Sequence, residues 1–164
     1  MRLLSHGEKY RNITTLSIPG NAEKFIVTHV VDGDTIEGYF EKSPQKMQNV
    51  RYLGIDTPEI AHRTSGSFQY GGKTAAHLNE LLITQHDYKV FLAKDTKNTD
   101  AYDRLLRHVF LPDGTYLNSV ILCAGYGKTY IQDIAIPPYV KALQSCELLA
   151  KNSLRGIWSV TASE

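Results

Sequence analysis

Residues 31–59 place charged side chains inside segments that otherwise have the composition of buried β-strands. Val-Asp-Gly-Asp-Thr begins this stretch at residue 31, and Arg-Tyr-Leu-Gly-Ile-Asp-Thr-Pro-Glu ends it at residue 59. Asp32, Asp34, Arg51 and Asp56 all lie within or beside these apolar runs. A guanidinium in such a strand needs a partner, because a buried unpaired charge is very costly. The stretch therefore limits the folds open to the chain to those that bring its charges together.

Hydrophobic periodicity predicts three strands, a helix, two strands and two helices, in that order. The predicted strands are residues 25–31, 35–40, 48–55, 87–94 and 105–111, and the predicted helices are 73–84, 117–124 and 137–155. This order is typical of a five-stranded OB-fold β-barrel in the mainly β with α (α+β) class. One helix would lie between strands 3 and 4, and the other two would be C-terminal.

With 164 residues the chain is long enough for one domain with its own core. We expect an N-terminal extension at residues 1–22 that is loosely ordered, a barrel domain at 23–160 and a tail at 161–164. Residues 61–72, rich in glycine, serine and threonine, are predicted to form a long loop after the charged stretch.

The composition excludes several classes of protein. The 18 basic and 17 acidic residues give a formal net charge of +1, which argues against a general nucleic-acid coat. The sequence has no apolar run long enough to cross a membrane and no secretory leader, so we expect a cytoplasmic monomer unless a leader has been removed. Cys123 and Cys146 lack the spacing of a zinc site, and either two buried thiols or a disulfide between two helices would fit.

The acidic residues of this stretch suit a hard cation. Asp32 and Asp34 are two positions apart and would point to one side of an extended chain, and Asp56 ends the next predicted strand. Carboxylate oxygens suit Ca²⁺ or Mg²⁺. Asp-Gly-Asp by itself is more typical of a hairpin turn.

Arg51, Arg104 and Glu59 add the groups that a phosphate site would need. Arg51 shares strand parity with Leu53 and Ile55, which predicts that all three face the core. Either arginine could bind a phosphate with its fork of donors or form a structural ion pair. Glu59 follows a proline that restricts the backbone, and it could orient a water or lie in solvent. Together, a cation, two arginines and a carboxylate form a set suited to phosphodiester hydrolysis.

These residues resemble the staphylococcal nuclease (thermonuclease) family over residues 25–158. The marks of the resemblance are Val-Asp-Gly-Asp-Thr at 31–35, the segment from Arg51 to Glu59, Tyr-Gly at 70–71, Thr-Asp-x-Tyr-x-Arg at 99–104 and Ile-Trp-Ser at 157–159. The resemblance implies an OB-fold barrel and a Ca²⁺-dependent nuclease that acts on DNA and RNA and leaves 3′-phosphate ends.

The resemblance also implies a role for each matching residue. Asp34 and Asp56 would bind Ca²⁺ through carboxylates, Thr57 would bind it through its backbone carbonyl, and Asp32 would support it through water. Glu59 would be the general base, and Arg51 and Arg104 would hold the scissile phosphate. Tyr130, and less directly Tyr126, would contact the nucleotide.

Two further hypotheses stay open from the sequence. Asp103, beside Arg104, departs from the family pattern and could pair with that arginine and weaken its contact with phosphate. The chain could then be a binding module on the same fold that is catalytically weak or silent, or an OB domain with a purely structural role. The presence of Asp34, Arg51, Asp56, Glu59 and Arg104 favours the active enzyme.

Overall fold

The computed structural model describes residues 10–60 and 71–159. The strands are β1 (Glu23–Val30), β2 (Thr35–Phe40), β3 (Met47–Tyr52), β4 (Gly54–Asp56), β5 (Lys89–Ala93), β6 (Leu105–Phe110) and β7 (Lys128–Tyr130). The helices are α1 (Gly72–Thr84), α2 (Leu117–Cys123) and α3 (Pro137–Asn152), followed by a 3-10 turn at Gly156–Trp158.

Five strands form a closed barrel in the order β1-β2-β3-β6-β5. Neighbouring strands are antiparallel, except that β3 and β6 run parallel. Helix α1 connects the third barrel strand to the fourth, and α2 and α3 follow the fifth. The predicted OB-fold barrel is therefore confirmed, with one additional helical segment at residues 10–14 and one additional small sheet, β4-β7.

The barrel interior and the inner faces of the helices form one hydrophobic core. Phe25 and Val27 of β1 point inward together, and Val50 and Tyr52 of β3 do the same, as alternate residues of a strand should. All residues of β6 are buried. Helix α1 contributes Ala75 and Ile83. This core supports the β1-β2 turn and the end of β4, which carry Asp32, Asp34 and Asp56.

The predicted third strand is divided, and the predicted orientation of Arg51 is wrong. Gly54 has a φ of 78°, so the extended chain is interrupted between β3 and β4. A Cβ at this position would also collide with Leu143 and Ile134. Val50 and Tyr52 therefore face the core, while Arg51 lies half-buried on the opposite face of β3.

The described part of the N-terminal extension, residues 10–22, packs against the barrel. Tyr116 N–H donates to the carbonyl of Thr14 at 2.7 Å, and Leu16 N–H donates to the carbonyl of Gly114 at 3.0 Å. Tyr10 and Ile13 pack on the core. The division into segments 1–22, 23–160 and 161–164 stays a prediction, and residues 1–9, 61–70 and 160–164, which include most of the predicted long loop, lie outside the described residues.

A disulfide joins Cys123 at the end of α2 to Cys146 in α3. The sequence left this pairing open, because the distance between two helices cannot be read from spacing. The bond closes the segment that contains β7, and that strand itself pairs with β4. Among the described residues, no helix is long and apolar enough to cross a membrane.

Candidate active site

The turn between β1 and β2 holds Asp32 and Asp34 beside helix α1. Asp34 N–H donates to Asp32 Oδ1 at 3.0 Å, so this segment is a hairpin turn as well as a carrier of acidic groups. Asn79 Nδ2 of α1 donates to the backbone carbonyl of Asp32 at 3.0 Å. Gly33 lies so close to α1 that a Cβ would collide with Ala75 and Thr57. The turn is therefore fixed by α1 on one side and by the segment after β4 on the other.

Asp34 is buried, and both of its carboxylate oxygens accept hydrogen bonds. Its Oδ2 accepts from the backbone N–H of Thr57 at 2.8 Å and from the Thr57 hydroxyl at 2.9 Å. Its Oδ1 accepts from the hydroxyl of Thr35 at 3.0 Å. These bonds satisfy a buried polar group and fix the direction of the carboxylate.

Arg51 lies between Asp34 and Asp56. Its Nη2 donates to Asp56 Oδ1 at 3.1 Å, and its Nη1 contacts Asp34 Oδ2. Nη1 is buried, and the Asp34 carboxylate is its one partner among the described residues. The two predicted metal-binding carboxylates are thus brought together, with the guanidinium of Arg51 against both.

Asp32 lies in a strongly acidic environment. Burial, and then the negative charge of Asp34, raise the pKa of Asp32 to about 7, and the charge of Glu59 acts in the same direction. Glu59 is therefore close enough to belong to the same electrostatic site, although its side chain is exposed. Its backbone lies close to the first turn of α1, where a Cβ at Gly72 would collide with the carbonyl of Glu59.

The donor chemistry of this site fits a hard divalent cation. Carboxylates and backbone carbonyls are the oxygen ligands that Ca²⁺ and Mg²⁺ take. A cation would also relieve the repulsion that raises the pKa of Asp32. Within residues 10–60 and 71–159, however, no three His, Cys, Asp or Glu side chains form a group ready to hold a metal ion. The residues fit the ion in type, and Arg51 lies where it draws the two carboxylates onto itself.

Arg104 is held by Asp100. Its Nε donates to Asp100 Oδ2 at 2.7 Å, and the backbone N–H groups of Tyr102 and Arg104 donate to Asp100 Oδ1 at 2.9 and 3.0 Å. The sequence left open a pairing of Arg104 with Asp103, and the partner in the structure is Asp100. Asp103 is exposed with a φ of 63°, which places it at the tip of the turn.

Arg107 is a positioning residue that sequence reasoning missed. It is buried in β6, where Nη1 donates to the carbonyl of Asn98 at 3.0 Å and Nη2 donates to the Asn98 side-chain oxygen at 2.9 Å. Burial lowers the pKa of this guanidinium. Asn98 precedes the turn that holds Asp100 and Arg104, so Arg107 attaches that turn to the barrel. The signal was present, since a charged residue in the middle of an apolar strand requires a partner.

Arg51 and Arg104 line the same cleft. The cleft has a volume of about 250 Å³, and Tyr102, Tyr130, Lys97 and Asp100 also line it. Tyr102 is 81% exposed and Tyr130 is 51% exposed, and the guanidinium carbon of Arg104 lies 5.5 Å from the centre of the Tyr102 ring. Tyr126 is instead partly buried against the core. The cleft therefore combines two arginines from different parts of the chain with two accessible aromatic rings.

Residues 49–160 match the family model described as staphylococcal nuclease homologue, which is more than half of the chain. The chain belongs to the staphylococcal nuclease family.

Its relatives include an endonuclease, YhcR, of Bacillus subtilis, which is 30% identical over 82% of this chain and 11% of its own length. A thermonuclease of Staphylococcus hyicus is 34% identical over 56% of this chain and 50% of its own length. The chain thus spans from about a tenth to half of these relatives.

This staphylococcal nuclease family member also contains a buried polar network that the sequence did not indicate. His108 Nε2 lies 2.9 Å from Asp95 Oδ2, and His108 Nδ1 lies 2.8 Å from the hydroxyl of Tyr116. Asp95 Oδ1 accepts from the backbone N–H of Ala135 at 3.0 Å. The network connects β6 and the start of α2 to the segment between β7 and α3. None of the four residues in this network lines the cleft.

Proposed function

We propose that this chain is a calcium-dependent nuclease that hydrolyses phosphodiester bonds in DNA and RNA. The observation that carries the proposal is that Arg51 and Arg104 line one cleft beside the carboxylates of Asp34 and Asp56. A guanidinium fork matches the oxygens of a phosphodiester, and two such groups line this cleft. The relatives named endonuclease and thermonuclease support the same class of reaction.

Asp34, Asp56 and the backbone carbonyl of Thr57 would hold the ion, and Asp32 would contact it through water. The ion would neutralise charge on the phosphate and polarise a water molecule. The bonds from Thr57 to Asp34 support this assignment, because they already hold the carboxylate and the segment after β4 next to each other.

The two arginines would stabilise the negative charge that develops on the phosphate oxygens. Arg51 is suited to this role because it lines the cleft beside both carboxylates, and an ion bound by Asp34 and Asp56 would release its guanidinium from them. Arg104 is suited because Asp100 holds its Nε and directs the group. Among the described residues, its two terminal nitrogens have no hydrogen-bond partner and would be left for the phosphate.

Glu59 would hold the attacking water in line with the leaving 5′ oxygen, which yields 3′-phosphate ends. Tyr130 would contact a base or sugar, because it is exposed and lines the cleft. Tyr126, partly buried on the core, is the less suited of the two tyrosines that the sequence suggested.

The test is cleavage of single-stranded DNA and of RNA by the purified protein with Ca²⁺, with Mg²⁺ and with chelator. Of the three conditions, we expect only Ca²⁺ to support cleavage, and we expect the products to carry 3′-phosphate ends. Substitution of Arg104 by Ala should abolish this cleavage and leave the protein folded, which excludes a contaminating nuclease. Cleavage that survives chelation would contradict the role of the ion.

A nucleic-acid-binding module without catalysis is the second candidate. The ion pairs of Arg51 with Asp34 and Asp56 favour it, because they are also what a purely structural cluster would form. Oligonucleotide binding by well-folded protein, without cleavage under any of the three conditions, would support this candidate over the first.

A further inference from the structure

Trp158 lies between two lysines from different elements. Lys151 Nζ of α3 lies 4.6 Å from the centre of the indole ring, and Lys128 Nζ of β7 lies 5.8 Å from it. Both lysines are exposed, and Trp158 is half-buried. An ammonium over an indole face is attracted by the ring. The indole therefore restrains two flexible cations at one place on the surface.

This cluster continues directly from the candidate active site. In the β4-β7 sheet Asp56 pairs with Lys128, and Gly54 pairs with Tyr130. Directly paired residues project to the same face of a sheet, as do residues two apart on one strand. Asp56, Lys128 and Tyr130 therefore share a face, with the arginine-lined cleft near Tyr130 and the Trp158 cluster beyond Lys128.

The positive charge of the cluster is only partly neutralised. Lys151 lies 3.5 Å from Glu147, whose carboxylate also accepts two hydrogen bonds from Thr129. Among the described residues, no carboxylate lies within ion-pair distance of Lys128. Lys151 is paired with Glu147, whereas Lys128 lies opposite Asp56, whose carboxylate is already bonded to Arg51. Among the described residues, Lys128 is therefore the cation of this cluster that has no ion pair.

We propose that Lys128, Lys151 and Trp158 form a second phosphate-binding site for the backbone of a single-stranded nucleic acid whose scissile phosphate lies at the candidate active site. The inference rests on the proposed function for its substrate. The lysines would contact phosphates one or a few nucleotides from the cleavage point, and Trp158 would keep their ammonium groups in place. Strands long enough to reach from the cleft to the cluster would bind more tightly than short ones.

The test measures binding in chelator, where no cleavage occurs. Fluorescently labelled thymidine oligonucleotides of about 4 and about 16 nucleotides are titrated with wild type and with the double variant Lys128→Ala, Lys151→Ala at several salt concentrations. The matched control is Lys42→Ala, Lys89→Ala, which removes the same charge from two exposed positions on the barrel away from β7 and α3. Far-UV circular dichroism verifies folding, and Lys→Gln replaces Lys→Ala if the double variant does not fold.

For the long oligonucleotide, log affinity falls as log salt concentration rises. In the double variant this slope should be less steep by about 1.4, since each single-strand phosphate contact contributes about 0.7. This corresponds to a loss of affinity of about 25-fold near 0.1 M salt. The short oligonucleotide and the control variant should bind as before.

An equal loss in the control variant would overturn the proposal, because net charge alone would then explain binding. Unchanged binding by the double variant, or no binding by wild type, would also overturn it and leave the cluster to another partner such as an acidic protein surface. The failure of the proposed function is a separate result. A protein that never cleaves, but whose salt dependence falls as expected in the double variant, keeps this binding site and loses only the catalysis.

Discussion

Arg51 donates from Nη2 to Asp56 Oδ1 at 3.1 Å across the break that separates β3 from β4. The break is caused by Gly54, whose positive φ ends one strand and begins the next in another sheet. Without it Arg51 and Asp56 would lie on one continuous strand, about 16 Å apart along it. The turn at Gly54 thus assembles the acidic site and its arginine from residues close in sequence.

Substitution of Arg104 by Ala should lower turnover by at least about 100-fold, because it removes a donor to the charge that develops on phosphate. The free energy of unfolding should fall by no more than about 1 kcal/mol, since the pair with Asp100 is partly exposed, at 32% and 17% of the two side chains. Steady-state kinetics and urea denaturation measure the two effects. If the variant had the turnover of wild type, Arg104 would not be a phosphate-binding residue.

Substitution of Asp100 by Asn should lower turnover by about 10-fold, because Arg104 loses the charged partner that directs it. Asp103→Asn is the matched control. It removes the same charge from an exposed position of the turn, three residues after Asp100. We expect it to leave turnover within about two-fold of wild type, in line with the small effect of an exposed charge. A larger loss of turnover in Asp103→Asn than in Asp100→Asn would instead support Asp103 as the partner of Arg104, the possibility that the sequence left open.

Substitution of Glu59 by Gln should slow hydrolysis by about 100-fold or more, because the amide cannot accept a proton from the attacking water. The affinity for Ca²⁺, measured by calorimetry with the unliganded protein, should stay close to that of wild type. A large loss of Ca²⁺ affinity with this variant would instead make Glu59 a ligand of the ion.

The free energy of unfolding should decrease as the pH is lowered below 6.5. Burial lowers the pKa of His108 from its ordinary value of 6.5, so the unfolded chain takes up this proton before the folded protein does. Burial alone would raise the pKa of Asp95, but hydrogen bonds from His108, Ala135 and Thr96 outweigh it and lower that pKa. The stability that Asp95 contributes is therefore lost at lower pH, below its ordinary value of 3.8.

His108→Gln should remove the part of this pH dependence that lies just below pH 6.5. For one proton, the slope in wild type reaches at most about 1.4 kcal/mol per pH unit. His77→Gln, at an exposed position of α1, is the control and should keep the wild-type slope. The measurement is urea denaturation at a series of pH values. Equal slopes in wild type and His108→Gln would assign the acid sensitivity to other groups.

Loss of the disulfide should lower the free energy of unfolding by about 3 kcal/mol, the value for closing a loop of this length. The bond joins cysteines 23 positions apart. Guanidinium denaturation of the double variant Cys123→Ser, Cys146→Ser measures the change. Wild type in excess dithiothreitol should lose a similar amount, and a double variant as stable as oxidised wild type would contradict the contribution of the bond.

Patterns local to the chain predicted most of the fold. Short runs rich in β-forming residues predicted the barrel strands, and apolar stripes predicted helices α1, α2 and α3, because these patterns depend on neighbours within a few residues. The same reasoning failed for residues 48–55. It treated them as one continuous strand and so placed Arg51 on the same face as Leu53 and Ile55, although the strand is interrupted at Gly54. A glycine that allows positive φ reverses which side chains face the core, and periodicity alone does not show whether it is used in this way.

The sequence by itself determined the order of the elements, the family and the chemical character of the site, because residue identities and short-range periodicity are sufficient for these. Only the tertiary structure decided that Arg104 pairs with Asp100, that Arg107 holds Asn98 and that Cys123 bonds to Cys146. It also decided that Lys128 and Lys151 meet at Trp158. The reason is physical: each of these contacts depends on a distance of a few ångströms that is set by how the chain turns and packs, not by spacing along the sequence.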